Sequence, residues 1–226
     1  MTNDRFLATA LWLLVAMVSI ACGEEPKRSA RTGNQVALPA PACAGGMPLQ
    51  EALARRVSVR EFANRALDQQ ELSQLLWAAQ GITHGGSRRT APSAGALYPL
   101  ELYVATRDGF FHYEPRGHKL QRLAEADLRT IISKAALGQK PIADAAAVFL
   151  FTAVSARTAQ RYGEARAPRY VHIEIGHAAQ NLLLQAVALN LGGVPVGAFD
   201  DPQLQKAIPV PRDHAVLYLV PVGHLR

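Results

Sequence analysis

An α+β domain of three layers at most is the fold class this sequence predicts. Apolar residues recur at helical spacing in some segments and alternate in others. The two kinds of segment intermix over residues 47–226 without a regular βαβ repeat. The chain of 226 residues is 49% hydrophobic and 19% charged, which suits one sizeable core and excludes a disordered chain or a polytopic membrane protein.

The elements follow in order. Leu49, Leu53 and Val57 recur at four-residue steps, so 48–57 is expected to be helical, with Pro48 in its first turn. Asp68 and Glu71 form a capping box for a helix whose apolar face is Leu72, Leu75, Leu76 and Ala79, and Gly81 suits its end. No period survives over 82–99, and an aperiodic loop of that length inside a domain is usually functional. Leu100, Leu102 and Val104 alternate with Glu101 and Tyr103 as in a strand. Arg107-Asp108-Gly109 then turns the chain into a second strand at 110–114. Residues 123–137 are expected as a helix, 145–154 as a buried strand and 170–191 as the longest helix, closed by Gly192-Gly193. A short strand at 194–197, a small helix from Asp201 and a strand at 215–222 complete the domain.

Two segments precede it. Residues 6–21 form the one long apolar run, shorter than the roughly 20 residues of a membrane-spanning helix and placed like the core of a signal peptide. Ser19-Ile20-Ala21-Cys22 resembles a bacterial lipobox, with Ser19 where Leu is usual. Residues 1–21 are therefore expected as a lipoprotein signal peptide and Cys22 as the lipidated residue, which places the protein in the cell envelope on a membrane anchor. An uncleaved N-terminal anchor is the alternative. Residues 22–46, rich in Pro, Gly and Ala, are expected as a flexible linker, with the domain spanning 47–226. Beside a lipidated Cys22, Cys43 is left as a lone thiol, and without a CxxC no disulfide framework is expected.

The 24 basic against 18 acidic residues, net +6, suit an anionic ligand. No nucleic-acid-binding motif accompanies the charge, so nucleic acid is not an expected partner. His172 and His177, five residues apart, are off the spacing that lets two imidazoles share an ion, so no metal site is expected.

Three constellations carry chemistry. In an extended segment Arg56, Ser58 and Arg60 fall on one face, where two guanidiniums and a hydroxyl can hold a phosphate. Small residues between Pro92 and Pro99 make a stiff, low loop that lets backbone approach a flat ring. Residues 192–200, with Gly197 and Ala198, can aim main-chain N–H groups at a ligand.

These segments together resemble the nitroreductase superfamily, and within it the SagB/ThcOx-type dehydrogenase branch. The resemblance is carried by RRVSVREF (55–62), LLWAAQGITH (75–84), PSAGALYPLELYV (92–104), FHYEP (111–115), the stretch from RYVHIEIGHAAQN to GVPVGAFDD (169–201) and LYLVPVGH (217–224). It implies a mixed or antiparallel central sheet flanked by helices, a homodimer with shared sites, and FMN as cofactor. Arg56, Ser58 and Arg60 match the segment that grips the FMN phosphate and ribityl chain. Pro92, Ser93, Ala94, Gly95 and Leu97 match the loop given by the second subunit. Val196, Gly197 and Ala198 match the strand that faces the ring near N5, and Gln139 matches a position close to its pyrimidine edge. Ala96 stands where many members carry Asn, and the chain stops at Arg226, short of the basic residues that extend past the last strand in many members. The activity implied is hydride transfer through flavin N5 to or from a small stacked substrate, with NAD(P)H or a quinol as a possible donor. Tyr170, after Arg169, matches the second member of a Lys-Tyr pair in the same branch and is the candidate proton-transfer residue. A non-catalytic flavin- or ligand-binding envelope lipoprotein is the alternative.

Overall fold

The computed structural model describes residues 34–86 and 88–226. Residues 1–21 and Cys22, with their expected signal peptide and lipid attachment, lie outside the described residues.

One antiparallel sheet organises the domain. Its strands are β1 (Gln35–Ala37), β4 (Leu100–Thr106), β5 (Gly109–Glu114), β6 (Lys119–Ala124), β7 (Ala147–Ala153), β8 (Leu191–Gly193) and β9 (Ala215–His224), in the order β1-β6-β5-β4-β7-β9-β8. Every ladder in it is antiparallel. β7 is buried on both faces, which is why it reads as a continuous apolar run. Along β4 the alternation sorts side chains between two layers. Leu102 and Val104 join one core with Leu75, Leu76, Ile175 and Leu182, whereas Tyr103 and Ala105 join another with Ile132, Ile142 and Leu204.

Helices α2 (Gln69–Gln80) and α6 (Ala167–Ala188) pack together over the first face. Helices α3 (Arg129–Ala135), α4 (Lys140–Asp144) and α7 (Asp201–Ala207) cover the second. The remaining helices, α1 (Leu49–Arg55) and α5 (Ser155–Tyr162), lie against α6. A small hairpin of β2 (Ile82–Thr83) and β3 (Arg88–Arg89) sits apart from the main sheet. The expected capping box is present: Asp68 Oδ1 accepts from the Glu71 amide at 2.7 Å, and Glu71 Oε2 accepts from the Asp68 amide at 2.8 Å. Gly81 closes α2, but with φ −61° it is not in the left-handed region. Glycine is needed there because a Cβ would fall on the Trp77 ring.

Several expectations are corrected. The expected linker does not extend to Gly46, because the fold begins by Gln35. Strand β1 pairs with β6, and a latch holds the segment after it. Ser73 Oγ donates to the Pro39 carbonyl at 2.6 Å, His118 Nε2 lies 2.7 Å from the same Oγ, and Tyr113 Oη lies 2.8 Å from His118 Nδ1. Those distances order the protons: Ser73 gives its proton to Pro39, so His118 donates to Ser73 and accepts from Tyr113. The trio resembles a nucleophilic triad, but its serine is a donor to backbone and fully buried. Cys43 is disulfide-bonded rather than a lone thiol. Residues 119–124 form strand β6, so the helix expected over 123–137 is confined to α3. Leu49, Leu53 and Val57 lie on the surface, each more than half exposed.

Candidate functional site

The first site element is built at the β8 edge of the sheet. Ser58 bridges Gly193 in parallel register, and the Val59 amide donates to the Gly193 carbonyl at 3.0 Å. Glycine permits this docking by close approach. A Cβ on Gly192 would stand 2.7 Å from the Val59 Cβ, and one on Gly223 would stand 2.9 Å from the Phe62 ring. Gly192 and Gly193 are therefore buried packing positions and do not face a ligand, a correction to the expectation that all of 192–200 lies open.

The opening starts further on. Val196 pairs with Leu219 through hydrogen bonds of 2.8 and 3.0 Å. Gly193 pairs with Val222, so the Ser58 bridge and the Val196 bridge lie roughly 10 Å apart along β9. Beyond Val196, Gly197 and Ala198 are exposed, and among the described residues neither amide N–H has a hydrogen-bond acceptor. A Cβ on Gly197 would touch only Tyr218 Cε2, at 3.8 Å. Gln139 is brought to this strand, because its Nε2 donates to the Ala198 carbonyl at 2.8 Å and to the Ala136 carbonyl at 3.0 Å.

Charge gathers at the same edge. Arg55 pairs with Glu51, but among the described residues the Arg56 and Arg60 side chains make no hydrogen bond or ion pair. Arg226 Nε donates to the Phe62 carbonyl at 3.3 Å, and its Nη1 lies 3.4 Å from Glu61. The C-terminal cation thus sits beside the Arg56–Arg60 segment. Unpaired guanidiniums, a hydroxyl and bare main-chain donors fit a ligand with a phosphate at one end and a flat ring at the other.

The second site element is the loop of residues 92–97. Ser93 Oγ accepts from the Tyr98 amide at 2.9 Å, which folds the loop into a tight turn. Gly95 (φ 62°), Ala96 (φ 54°) and Tyr98 (φ 48°) are in the left-handed region, two of them at a steric cost that glycine does not bear. Tyr98 is clamped from two sides. Arg157 Nη1 donates to its carbonyl at 3.1 Å, and the Arg89 guanidinium lies 5.1 Å from its ring centre. Arg157 also pairs with Glu101 at 2.6 Å, and His112 Nε2 holds the other Glu101 oxygen at 2.7 Å. Burial pushes the Glu101 carboxyl up, but the hydrogen bonds from His112 and Arg157 outweigh it and hold the group at about 2.

Behind the loop lies buried charge. Glu174, 3% exposed, feels the Arg89 charge, while its Oε1 has no hydrogen-bond partner. Burial pushes its carboxyl up to about 7, against the opposing pull of Ser93 and Arg89. Tyr170 lies on this side too, its ring 4.4 Å from that of Tyr162. A Cβ on Gly95 would come within 3.1 Å of the Tyr162 hydroxyl.

The two elements stand at opposite ends of α6. Glu174 marks the loop end and Ala188 the β8 end, and that stretch of helix spans roughly 20 Å. One protomer therefore joins Arg56, Ser58 and Arg60 to Val196, Gly197, Ala198 and Gln139, but leaves Pro92, Ser93, Ala94, Gly95, Leu97 and Tyr170 elsewhere.

A family model described as the nitroreductase family matches residues 53–224, nearly the whole domain. The chain belongs to the nitroreductase family. As a nitroreductase-family oxidoreductase it is 41% identical over 181 residues to the nitroreductase-type protein MJ1384 of Methanocaldococcus jannaschii, a match covering 77% of this chain and 90% of that one. Its fold is similar to that of a nitroreductase structure from Ralstonia eutropha JMP134, with TM-score 0.77 and 29% identity over 90% of this chain and 96% of the other. The NADPH:FMN oxidoreductase of Vibrio harveyi, solved with NAD+, shares the fold at TM-score 0.59 and 20% identity, covering 78% of this chain and 68% of that one.

Within this nitroreductase-family site, Arg89, Gln80, Glu101 and Arg157 are functional candidates that the sequence did not single out. Glu174 did carry a signal. Val171, Glu174, Ile175 and Ala178 follow the spacing of a buried helical stripe, so a carboxylate falls among core positions. His172 and His177 are both exposed in the chain.

Proposed function

We propose that this protein is an FMN-dependent oxidoreductase of the SagB/ThcOx-type branch, acting as a homodimer with each site shared between two copies. The observation that carries the proposal is the β8 edge, where the unpaired Arg56 and Arg60 and the open Gly197–Ala198 main chain belong to one continuous surface. Arg56, Ser58 and Arg60 bind the phosphate end of the cofactor through charge-assisted hydrogen bonds, with Arg226 adding positive charge beside them. Bound there, FMN supplies hydride transfer at its N5. The Gly197 and Ala198 amides direct positive dipoles at the ring edge without a side chain in between. Gln139, fixed on the Ala198 carbonyl, presents the rest of its amide beside them. The fold similarity to an NADPH:FMN oxidoreductase supports the same cofactor class.

Dimerisation is supported by two features. The loop of residues 92–97 lies near Glu174 on α6, roughly 20 Å along the helix from its end beside β8. The exposed Leu49, Leu53 and Val57, with Ile173 on the outer face of α6, form an apolar surface for a partner. The partner's loop then closes the ring face, and Tyr170 carries a proton at that face.

The test is reconstitution of the purified protein with FMN, followed by anaerobic reduction with NADH, NADPH or a reduced quinol. A stoichiometric yellow complex bleached by one of these donors is expected. FMN bound but reduced only by dithionite favours the ligand-binding alternative, and a colourless protein that takes up no FMN overturns the proposal.

Export to the envelope is part of the same proposal, supported by the N-terminal apolar run. The chain has two cysteines, so lipidation of Cys22 and a bond from Cys22 to Cys43 exclude each other within one molecule. The intact mass of the mature protein under non-reducing conditions tests this. A diacylglyceryl adduct on Cys22 is expected, and an unmodified Cys22 bonded to Cys43 contradicts lipidation.

A further inference from the structure

A cavity of about 340 Å³ opens between β1, β6, the turn from β4 to β5 and the first turn of α2. It shares no lining residue with either site element, and β1 and β8 are the two opposite edges of the sheet. The volume falls at the lower end of the roughly 300–1,000 Å³ of small-molecule sites.

The strand register explains its wall. Val36 pairs with Leu120, and Leu120 stands two residues from Arg122, so the three share the face that α2 covers. Phe111 opposes Arg122 in the β5–β6 ladder and lies on that face too. Leu38, Leu67 and Leu72 complete the wall. Phe111 and Leu120 are buried, but Val36, Leu38, Leu67 and Leu72 keep part of their surface in the opening. Apolar groups that line a hole forgo the dispersion contacts of a close-packed core, and an apolar ligand restores them.

A cation at a core-facing position is the second observation. Arg122 is half-buried, its Nη1 donates to the Asp108 carbonyl at 3.0 Å, and its guanidinium lies 5.0 Å from the Phe111 ring centre. Arg107 stands on the exposed rim, with Nη2 donating to Asn64 Oδ1 at 3.2 Å. Among the described residues neither guanidinium makes an ion pair. The rim acids do not supply one. Asp68 Oδ1 takes the Glu71 amide, and Asp108 meets Arg122 through its main chain. A half-buried cation without a counter-ion is costly, and a guanidinium fixed through one nitrogen still offers donors that match a carboxylate.

We propose that this cavity binds a single-chain amphiphile with an anionic head, of the class of a medium-chain monocarboxylate. The chain lies along the wall of Val36, Leu72 and Phe111, and the carboxylate meets Arg122 with Arg107 beside it. The site is separate from the flavin reading and does not depend on it.

Isothermal titration of the purified cofactor-free protein with octanoate, hexanoate and 1-octanol tests the site. One octanoate per chain is expected. Hexanoate should bind more weakly by about fourfold for each methylene lost. 1-Octanol, which keeps the chain but not the charge, should bind at least about tenfold more weakly than octanoate. Arg122→Met should lower octanoate affinity by about the same factor and leave that of 1-octanol unchanged. Leu72→Trp fills the cavity and should abolish binding of both. Arg56→Ala with Arg60→Ala should leave octanoate binding as it is. No saturable binding, equal affinity for octanoate and 1-octanol, or loss of octanoate with the Arg56 and Arg60 pair in place of Arg122 overturns the proposal. Should Arg122→Met or Leu72→Trp fail to fold, nuclear Overhauser contacts between octanoate and the Phe111 ring of the wild-type protein decide the point. Their presence places the chain in the cavity, and their absence at saturation overturns the site. Protein that takes up no FMN yet binds octanoate in this way refutes the flavin reading alone.

Discussion

The β8 edge and the 92–97 loop both offer small residues to a ligand, yet different physics holds each in place. At the edge, glycines admit Val59 and Phe62 so closely that no side chain fits between, and no titrating group takes part in the packing. At the loop, the backbone is in disfavoured conformations beside charge: Arg157, paired with Glu101, holds the Tyr98 carbonyl, and Arg89 lies over the Tyr98 ring. Close packing gives one fixed geometry whatever the pH. A turn held by charged side chains depends on those charges, so in the proposed function the edge would be a fixed cradle and the loop its cover.

Variants that separate binding from folding break this comparison most sharply. Arg56→Ala with Arg60→Ala should weaken FMN binding about 100-fold, the loss of two charge-assisted contacts softened by solvent. Apo stability should stay within about 0.5 kcal/mol, because neither side chain has a partner in the fold. FMN titration and urea unfolding read the two effects. Gly192→Ala should act in the opposite sense and destabilise the fold by about 2 kcal/mol through overpacking against Val59. Urea midpoints taken between pH 5.5 and 8.5 should show that loss to be independent of pH.

The polar clamp should respond more gently. Arg157→Ala removes one of the two partners of Glu101. With the arginine partly exposed, a loss of about 1 kcal/mol at neutral pH is expected. Glu101 is held below its ordinary 4.5, so its contribution is present above 4.5 and is lost as pH falls through about 2. Arg157→Ala should move that acid limit upward, as read by circular dichroism during acid titration. The smallest effect is expected at the His118 latch. Burial pushes this imidazole below its ordinary 6.5, so the unfolded chain takes the proton first and stability falls as pH drops below 6.5. His118→Gln should reduce the difference in urea midpoint between pH 7.5 and 5.5.

Much of the frame was legible because local signals agreed with the fold. The Asp68–Glu71 box, the alternation of β4 and the unbroken apolar run of β7 each reflect a physical requirement met within a few residues. What was missed depends on distant partners. Gln35-Val36-Ala37 becomes a strand only because β6 offers an edge, and β6 itself, Lys-Leu-Gln-Arg-Leu-Ala, is half exposed and carries a mixed period. The spacing of Leu49, Leu53 and Val57 revealed a helix but not that its apolar face looks outward. For the candidate site, Arg56, Ser58, Gly197 and Gln139 were named through the family resemblance. The clamp of Arg89, Glu101 and Arg157 was not, since charged residues in strands and short helices look like ordinary surface until the fold brings them together.

The central claim is that each site takes its cations from one chain and its loop from the other. Co-expression of two variants, Arg60→Glu and Gly95→Val, tests it most directly, by FMN content of the purified mixed dimer. Either variant alone should be empty, and the mixed dimer should hold one intact site, built from the unaltered edge of one copy and the unaltered loop of the other. A mixed dimer as empty as its parents would show that both elements serve the same chain's site and would contradict the account.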